Sequence, residues 1–478
     1  MAEQTKGLPM TSKWDPEKLE KEVAVLQGLE TKPLLSRIRG YMKLTGPAWM
    51  QSAMTLGAGS AAASVMAGAS FGYDLLWVQP VAMFLGVMMM AALGNVVLTT
   101  GERPYRAVAR ETHVSIAFLW ALGTIVASII WHFPQYGLAS AVAWDLAQVG
   151  GVSQTSGFWE YGVRIGAGLL ILGINIFTTW NYGSGSRGIR LYERFVRWVI
   201  RIVIVAFAVV VLTSGTDWWA VLKGFVCFRI PRIEGTTEVI LGAIGASVGI
   251  NMTVLYPYSL LAKGWGKHHK GLSRWDLFSS MFLPFVLVTS LIIIASANGV
   301  YDPAAGKVLM NLKPVDASRG MAKLLGGSLG RIIFDLGFFA MTCSAISTHM
   351  VVCGFTVCEM FHLEYSVKRY RLFTLVPVVG ILGVITPAPM WLPIMASAIC
   401  LTMLPIAYIT FFVMNNKRSY LGEAVGRGWK RGLYNAVLLV AIAAATIGAG
   451  IKIKTGVIDK LVPKSAPAAP AAQPPARY

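Results

Sequence analysis

The run LGAGSAAASVMAG (Leu56–Gly68) lies inside a stretch from Leu44 to Tyr73 that contains no charged residue. An uncharged run of that length suits a helix crossing a hydrocarbon core of about 30 Å. Its middle, however, holds little but glycine, alanine and serine, with Gly57, Ala58, Gly59 and Ser60 in succession. Glycine weakens a helix because it leaves backbone entropy high and adds no packing surface. A spanning helix is therefore expected to be interrupted here.

The rest of the chain fixes the class. It has 478 residues, of which 55% are hydrophobic and only 14% charged, well below the charged share of soluble domains. Further uncharged runs cover Leu75–Gly101, Thr112–Trp144, Ile165–Ser186, Val239–Ala262, Leu277–Tyr301, Leu336–Cys358, Leu372–Asn416 and Gly432–Ile451. The run from Leu372 is too long for one span, and TPAPMWLP (Thr386–Pro393) divides it. Ile202–Gly215 is shorter, but Arg197 and Arg201 can snorkel from its start. The reading is an all-α integral membrane protein of eleven transmembrane helices.

Basic residues orient it. With the N-terminus cytoplasmic, inside segments hold 28 of the 42 Lys and Arg, the bias that sets topology during insertion. The C-terminus then lies outside. The net charge of +19 is spread over alternate loops and meets anionic lipid, so nucleic acid is excluded as a partner. Residues 1–44 form a cytoplasmic segment with a short amphipathic helix starting near Asp15-Pro16-Glu17 and lying on the inner surface. Residues 45–452 form the membrane domain, and 453–478, rich in Pro and Ala, a disordered tail. The cysteines Cys227, Cys343, Cys353, Cys358 and Cys400 show no metal or disulfide spacing. His268-His269 reads as part of a solvated charge run. No nucleophile–base pair, phosphate loop or cofactor motif is present, so the chain is read as a non-enzyme.

A second interruption, GAIGASVGIN (Gly242–Asn251), falls in the sixth span. Five spans separate the two, so they run in opposite directions. Paired breaks in opposed helices mark an inverted repeat, spans 1–5 against 6–10, with a binding site at mid-membrane. Unwound backbone there must line a cavity or be buried in protein. The same small residues also suit close helix packing: Gly245 and Gly249 form a G-x-x-x-G pair, and spacing alone does not separate the two readings.

LTGPAWMQSAMTLGAGSAAASVMAGASFGYDLLWV (Leu44–Val78), DWWAVLKGFV (Asp217–Val226), LGAIGASVGINMTVLYPYSLL (Leu241–Leu261) and MASAICLTMLPIAYITFFVMNNKRSYLG (Met395–Gly422) resemble the natural resistance-associated macrophage protein (NRAMP) divalent-metal transporters. The resemblance implies the broken-helix fold of the amino acid–polyamine–organocation superfamily, with broken helices 1 and 6. It places Gly57-Ala58-Gly59-Ser60 where the family carries Asp-Pro-Gly-Asn, and Gly249-Ile250-Asn251 where it carries Met-Pro-His. Phe133 and Tyr136 stand at the family's third-span acids and Met403 at its tenth-span Gln. The substrate-binding set expected on this basis is Gly57, Ala58, Gly59, Ser60, Tyr136, Gly249, Ile250, Asn251 and Met403.

The family's carboxylates and thioether are missing from those positions. A divalent ion stripped of water needs charge compensation, and a site of neutral oxygens holds one only weakly unless it keeps its hydration shell. The expected substrate is thus a hydrated or weakly coordinated cation, or a small organic solute, in a larger neutral pocket edged by Ser60, His132, Gln135, Tyr136, Asn251, Tyr256 and Met403, with no strong proton coupling. His132 also suits a plain hydrogen bond within the bundle. Asp335, the most interior carboxylate, is expected to pair with Arg331 near the outer surface. The alternatives are a divalent metal ion (Mn, Fe or Mg) carrier, as in typical members of the family, and a non-transporting receptor or scaffold.

Overall fold

The computed structural model describes residues 16–152, 157–182, 186–309, 312, 316–320, 327–385 and 391–454. Among them the regular structure is entirely helical. Among the described residues nine helical stretches are long and apolar enough to cross a membrane: Val78–Thr100, Val114–Val149, Gly157–Tyr182, Arg187–Thr213, Thr236–Lys263 (interrupted at Val248 and Gly249), Lys267–Gly299, Ser328–Met360, Ala396–Asn416 and Trp429–Ile453. In lipid a backbone must satisfy its own polar groups, and only a helix or a closed barrel does so. These nine correspond to expected spans 2 to 8, 10 and 11.

Expected spans 1, 6 and 9 are not continuous α-helices. Span 1 consists of Pro47–Thr55 and Ala58–Phe71, separated by Leu56 and Gly57. Span 6 divides in the same way into Thr236–Ser247 and Ile250–Lys263, separated by Val248 and Gly249. Span 9 is a 3-10 helix, Val376–Ile385, lying along span 3. Gly380 and Gly383 let it close against the Cβ of His132 and the carbonyl of Phe133. Residues 386–390 of the dividing TPAPMWLP stretch, Asp15 and the tail from 455 lie outside the described residues.

Both readings of the small residues hold, at different positions. Gly68 lies on the Ile293 carbonyl of span 7, and a Cβ on Gly245 would stand 2.6 Å from the Ser397 carbonyl of span 10. These are close-packing glycines. Gly57 and Gly249 sit at the breaks. Each has extended backbone open to any residue (φ −134° and −97°), so the need for glycine there is one of space rather than of backbone conformation.

The N-terminal segment differs from expectation. It forms two helices, Pro16–Glu30 and Leu34–Leu44. The first is docked on the protein: Leu26 and Leu29 are buried, and Glu22 accepts from the Trp265 indole at 3.2 Å and lies 3.5 Å from His269 Nε2. His269 is likewise buried, stacked on Trp265 with ring centres 5.6 Å apart. Only His268 of that pair is exposed.

Candidate functional site at the paired helix breaks

The two breaks touch. The Thr55 hydroxyl, at the end of the first half of span 1, lies 2.9 and 2.8 Å from the Ala246 and Ser247 carbonyls. Those carbonyls end the first half of span 6, where the chain no longer supplies helical donors. The other freed groups also find side chains. The Ala58 N–H donates to Gln135 Oε1 at 2.9 Å. Ser60 Oγ donates to the Thr55 carbonyl at 2.6 Å and accepts from the Gly57 N–H at 3.2 Å. The Gly249 N–H points at Met252 Sδ, 3.5 Å away. At the far end of span 1, Asp276 accepts from the Gly46 and Ala48 N–H groups at 3.1 and 2.9 Å, anchoring the start of that short helix through charge-assisted bonds.

Between the breaks is a chamber of about 20 Å³, room for about one water. It is thus closed around its centre, and smaller than the open pocket that glycine substitution alone suggests. The volume is filled from span 3. A Cβ on Gly57 would stand 2.5 Å from Gln135 Nε2 and 2.9 Å from Ala345 Cβ, and the Trp131 ring lies on Gly59.

Of the residues expected at the site, Gly57, Gly59, Ser60, Gly249 and Asn251 line the chamber, as does Gln135. Ala58 contributes its N–H to Gln135 without lining the space. Ile250 and Met403 pack on Gly123 of span 3. Tyr136 is buried in a cluster with Ile171, Ile346 and Met350. Tyr256 bonds Ser273 Oγ at 2.7 Å, away from the chamber. His132 gives its Nδ1 to the Ser128 carbonyl at 2.8 Å. This bond fixes the tautomer with Nδ1 protonated and Nε2 as acceptor, and Nε2 has no partner.

Several lining residues were not anticipated: Thr55, Trp131, Met252 and, from span 8, His349. The expectation that no thioether remains at the breaks is corrected by Met252, whose sulfur reaches the Gly249 N–H, and Met54 also lines the chamber. The His349 ring is 5.5 Å from that of His132, and its Nδ1 has no partner. Asn251 Oδ1 accepts from the Met252 N–H at 3.0 Å, while its Nδ2 is buried and unpartnered. Buried polar atoms without partners are few in folded proteins, and here two belong to chamber-lining side chains. The donor set is therefore amide and hydroxyl oxygen, thioether sulfur and imidazole nitrogen. Among the described residues no carboxylate lines the chamber, and there is no group of three or more His, Cys, Asp or Glu arranged to hold a metal ion.

Carboxylates do lie deep elsewhere. Arg331 makes a bidentate contact with Asp145 of span 3 rather than with Asp335. Ser318 donates to the same carboxylate at 3.2 Å. Asp335 is fully buried near Asp145, and neither of its carboxyl oxygens has a hydrogen-bond partner among the described residues.

Comparison with known proteins adds lineage to this geometry. A family model described as natural resistance-associated macrophage protein-like matches residues 48–449. Curated relatives include a divalent metal cation transporter MntH of Klebsiella pneumoniae, 23% identical over 84% of this chain and 92% of its own length. Another is a divalent metal cation transporter MntH of Deinococcus radiodurans, 25% identical over 85% of this chain and 89% of its own. Among solved structures, a mutant of the Eremococcus coleocola manganese transporter superposes with a TM-score of 0.68 at 15% identity, covering 90% of this chain and 89% of its own. A nucleobase-cation-symport-1 family transporter gives 0.55 at 14% identity, covering 88% and 94%. At such identities the structural likeness speaks for the fold.

Proposed function

The chain belongs to the natural resistance-associated macrophage protein family, and on that premise we propose that it carries a divalent metal ion across the plasma membrane by alternating access. The observation that carries this reading is the meeting of the Leu56–Gly57 and Val248–Gly249 breaks around one small polar chamber. Opposed broken helices at mid-membrane are how inverted-repeat carriers present backbone and side-chain dipoles to a solute. The relatives' names, divalent metal cation transporters, favour a metal over the shifted substrate that the missing carboxylates suggest. Met252, Met54 and His349 supply sulfur and nitrogen donors that suit first-row transition metals better than Mg²⁺. The N-terminus is assigned to the cytoplasm by the distribution of basic residues.

A second reading has its own support. With no carboxylate at the chamber, a bare divalent charge is uncompensated, which favours an ion that keeps most of its water, or a neutral solute, and weak coupling to protons. Both readings require the chamber to widen from its closed volume during the cycle. The deciding experiment is flux into liposomes containing the purified protein, with Mn²⁺ and a lumenal pH dye. Saturable Mn²⁺ entry supports the metal carrier, and lumenal acidification accompanying it removes the uncoupled reading. Absence of Mn²⁺, Fe²⁺ and Mg²⁺ flux from folded protein overturns the metal proposal.

A further inference from the structure

Away from the chamber, a groove of about 600 Å³ runs between span 2, span 7 and span 11. Its mouth lies at the end of the bundle that the basic-residue bias assigns to the cytoplasm. Four cationic side chains edge that mouth: Arg274, Arg427, Lys430 and Arg431. Among the described residues no acidic residue lines the groove. At the rim, the exposed Glu423 lies 3.3 Å from Arg427. Farther from the mouth the walls become apolar. Phe84 and Phe278 stand there, 46% and 42% exposed, beside Phe282 and Met88. Tyr434 closes the floor by donating to the Met88 carbonyl at 3.2 Å.

We propose that this groove is a binding site for one anionic phospholipid of the inner leaflet, its phosphate held among the four basic side chains and an acyl chain laid along the phenylalanines. Charge complementarity selects this occupant. A soluble anion has no use for the apolar shaft, and a zwitterionic lipid carries no net charge to match the mouth. Basic pockets between transmembrane helices on the cytoplasmic side have this chemistry for anionic headgroups. Arg431 is partly committed, since it donates to Asn416 Oδ1 at 2.9 Å and holds the Asn415 carbonyl. Its Nε is buried and unpartnered, a donor left for a phosphate oxygen. Arg274, Lys430 and Arg427 are exposed.

The test uses the full-length protein in detergent, with lipid retention read by native mass spectrometry and melting temperature followed in parallel. Phosphatidylglycerol is expected to bind and raise the melting temperature, and phosphatidylcholine of the same chains is expected to do neither. The double variant Arg427→Glu with Lys430→Glu reverses two exposed charges and is expected to weaken phosphatidylglycerol binding by about tenfold or more. Phe278→Gln tests the acyl shaft and is expected to weaken lipid binding while leaving charge unchanged. Equal retention of the two lipids by the wild type overturns the proposal. So does binding of glycerol phosphate as tight as that of the lipid, which would make the mouth a soluble-anion site. If the double variant does not fold, Arg274→Gln replaces it, and unchanged lipid preference in that variant also overturns the proposal.

Discussion

Gln135 fills the role of a cap at the first break. Its Oε1 takes the Ala58 N–H that the helix itself cannot serve, and its Nε2 crowds the space a Gly57 side chain would need. Gln135→Leu keeps the bulk and removes the acceptor. Leaving that buried N–H unpaired is expected to cost about 1–3 kcal/mol, seen as a lower melting temperature in detergent. Gly57 and Gly249 were legible because they fall at matching places in two oppositely directed spans, a pairing that the close-packing glycines Gly68 and Gly245 do not share. Gln135 was expected at the edge of the pocket, whereas Trp131 was not. They share one face of span 3 at i, i+4, whereas Tyr136, the residue the family resemblance favoured, turns to the neighbouring face and packs on Ile346 and Met350. No periodicity in a helix that is apolar on nearly every side says which face meets the chamber. His349 and Met252 escaped notice for a related reason: span 8 carries no break, and the motif register ended at Asn251.

At the scale of elements, the two breaks are coupled by one hydroxyl. Thr55 serves the last carbonyls of the first half of span 6, so the end of one half-helix helps to satisfy the other break. Thr55→Val retains shape and removes that proton. It is expected to destabilise by about 1–3 kcal/mol and to lower flux of any transported ion, because the relative position of the half-helices is no longer pinned. Thermal unfolding and the liposome assay read the two effects separately. Both breaks were expected from sequence, at Gly57–Ser60 and within Gly242–Asn251; they fall at Leu56–Gly57 and Val248–Gly249, and Ala58–Ser60 and Ile250–Asn251 are already helical. The tight winding of span 9 was not expected, since its valines, isoleucine and glycines are compatible with either helix type, and the choice follows from its fit against His132 and Phe133.

Across the whole molecule, charge is tied down at both ends of the bundle. Toward the end opposite the N-terminal helices, Arg331 and Asp145 join spans 8 and 3. Asp145→Asn takes from Arg331 its bidentate partner while Asp335 remains nearby, and is expected to cost about 1–3 kcal/mol. Asp335→Asn is expected to be neutral or stabilising, because it removes the second of two carboxyls facing a single arginine. Melting temperatures of the two variants compare them directly. At the N-terminal end, burial raises the Glu22 carboxyl, but the neighbouring His269 and Lys263 and the hydrogen bond from the Trp265 indole outweigh it and hold the group below its ordinary value. A depressed carboxyl adds stability above its unfolded value, near 4.5, and loses it as pH falls through the folded value. Docking of Pro16–Glu30 is therefore expected to persist at neutral pH and to loosen in acid below that range. Protease cleavage within this helix is expected to show the change, with Glu22→Ala removing the pH dependence.

The five thiols offer a compass. Cys353, Cys358 and Cys400 are buried, Cys343 is half-buried in span 8, and Cys227, in the loop after Trp218–Val226, stands exposed. A maleimide too polar to cross lipid is expected to tag intact cells at this one position and to lose its signal in Cys227→Ser. Tagging that appears only after the cells are opened would turn the molecule upside down in its membrane.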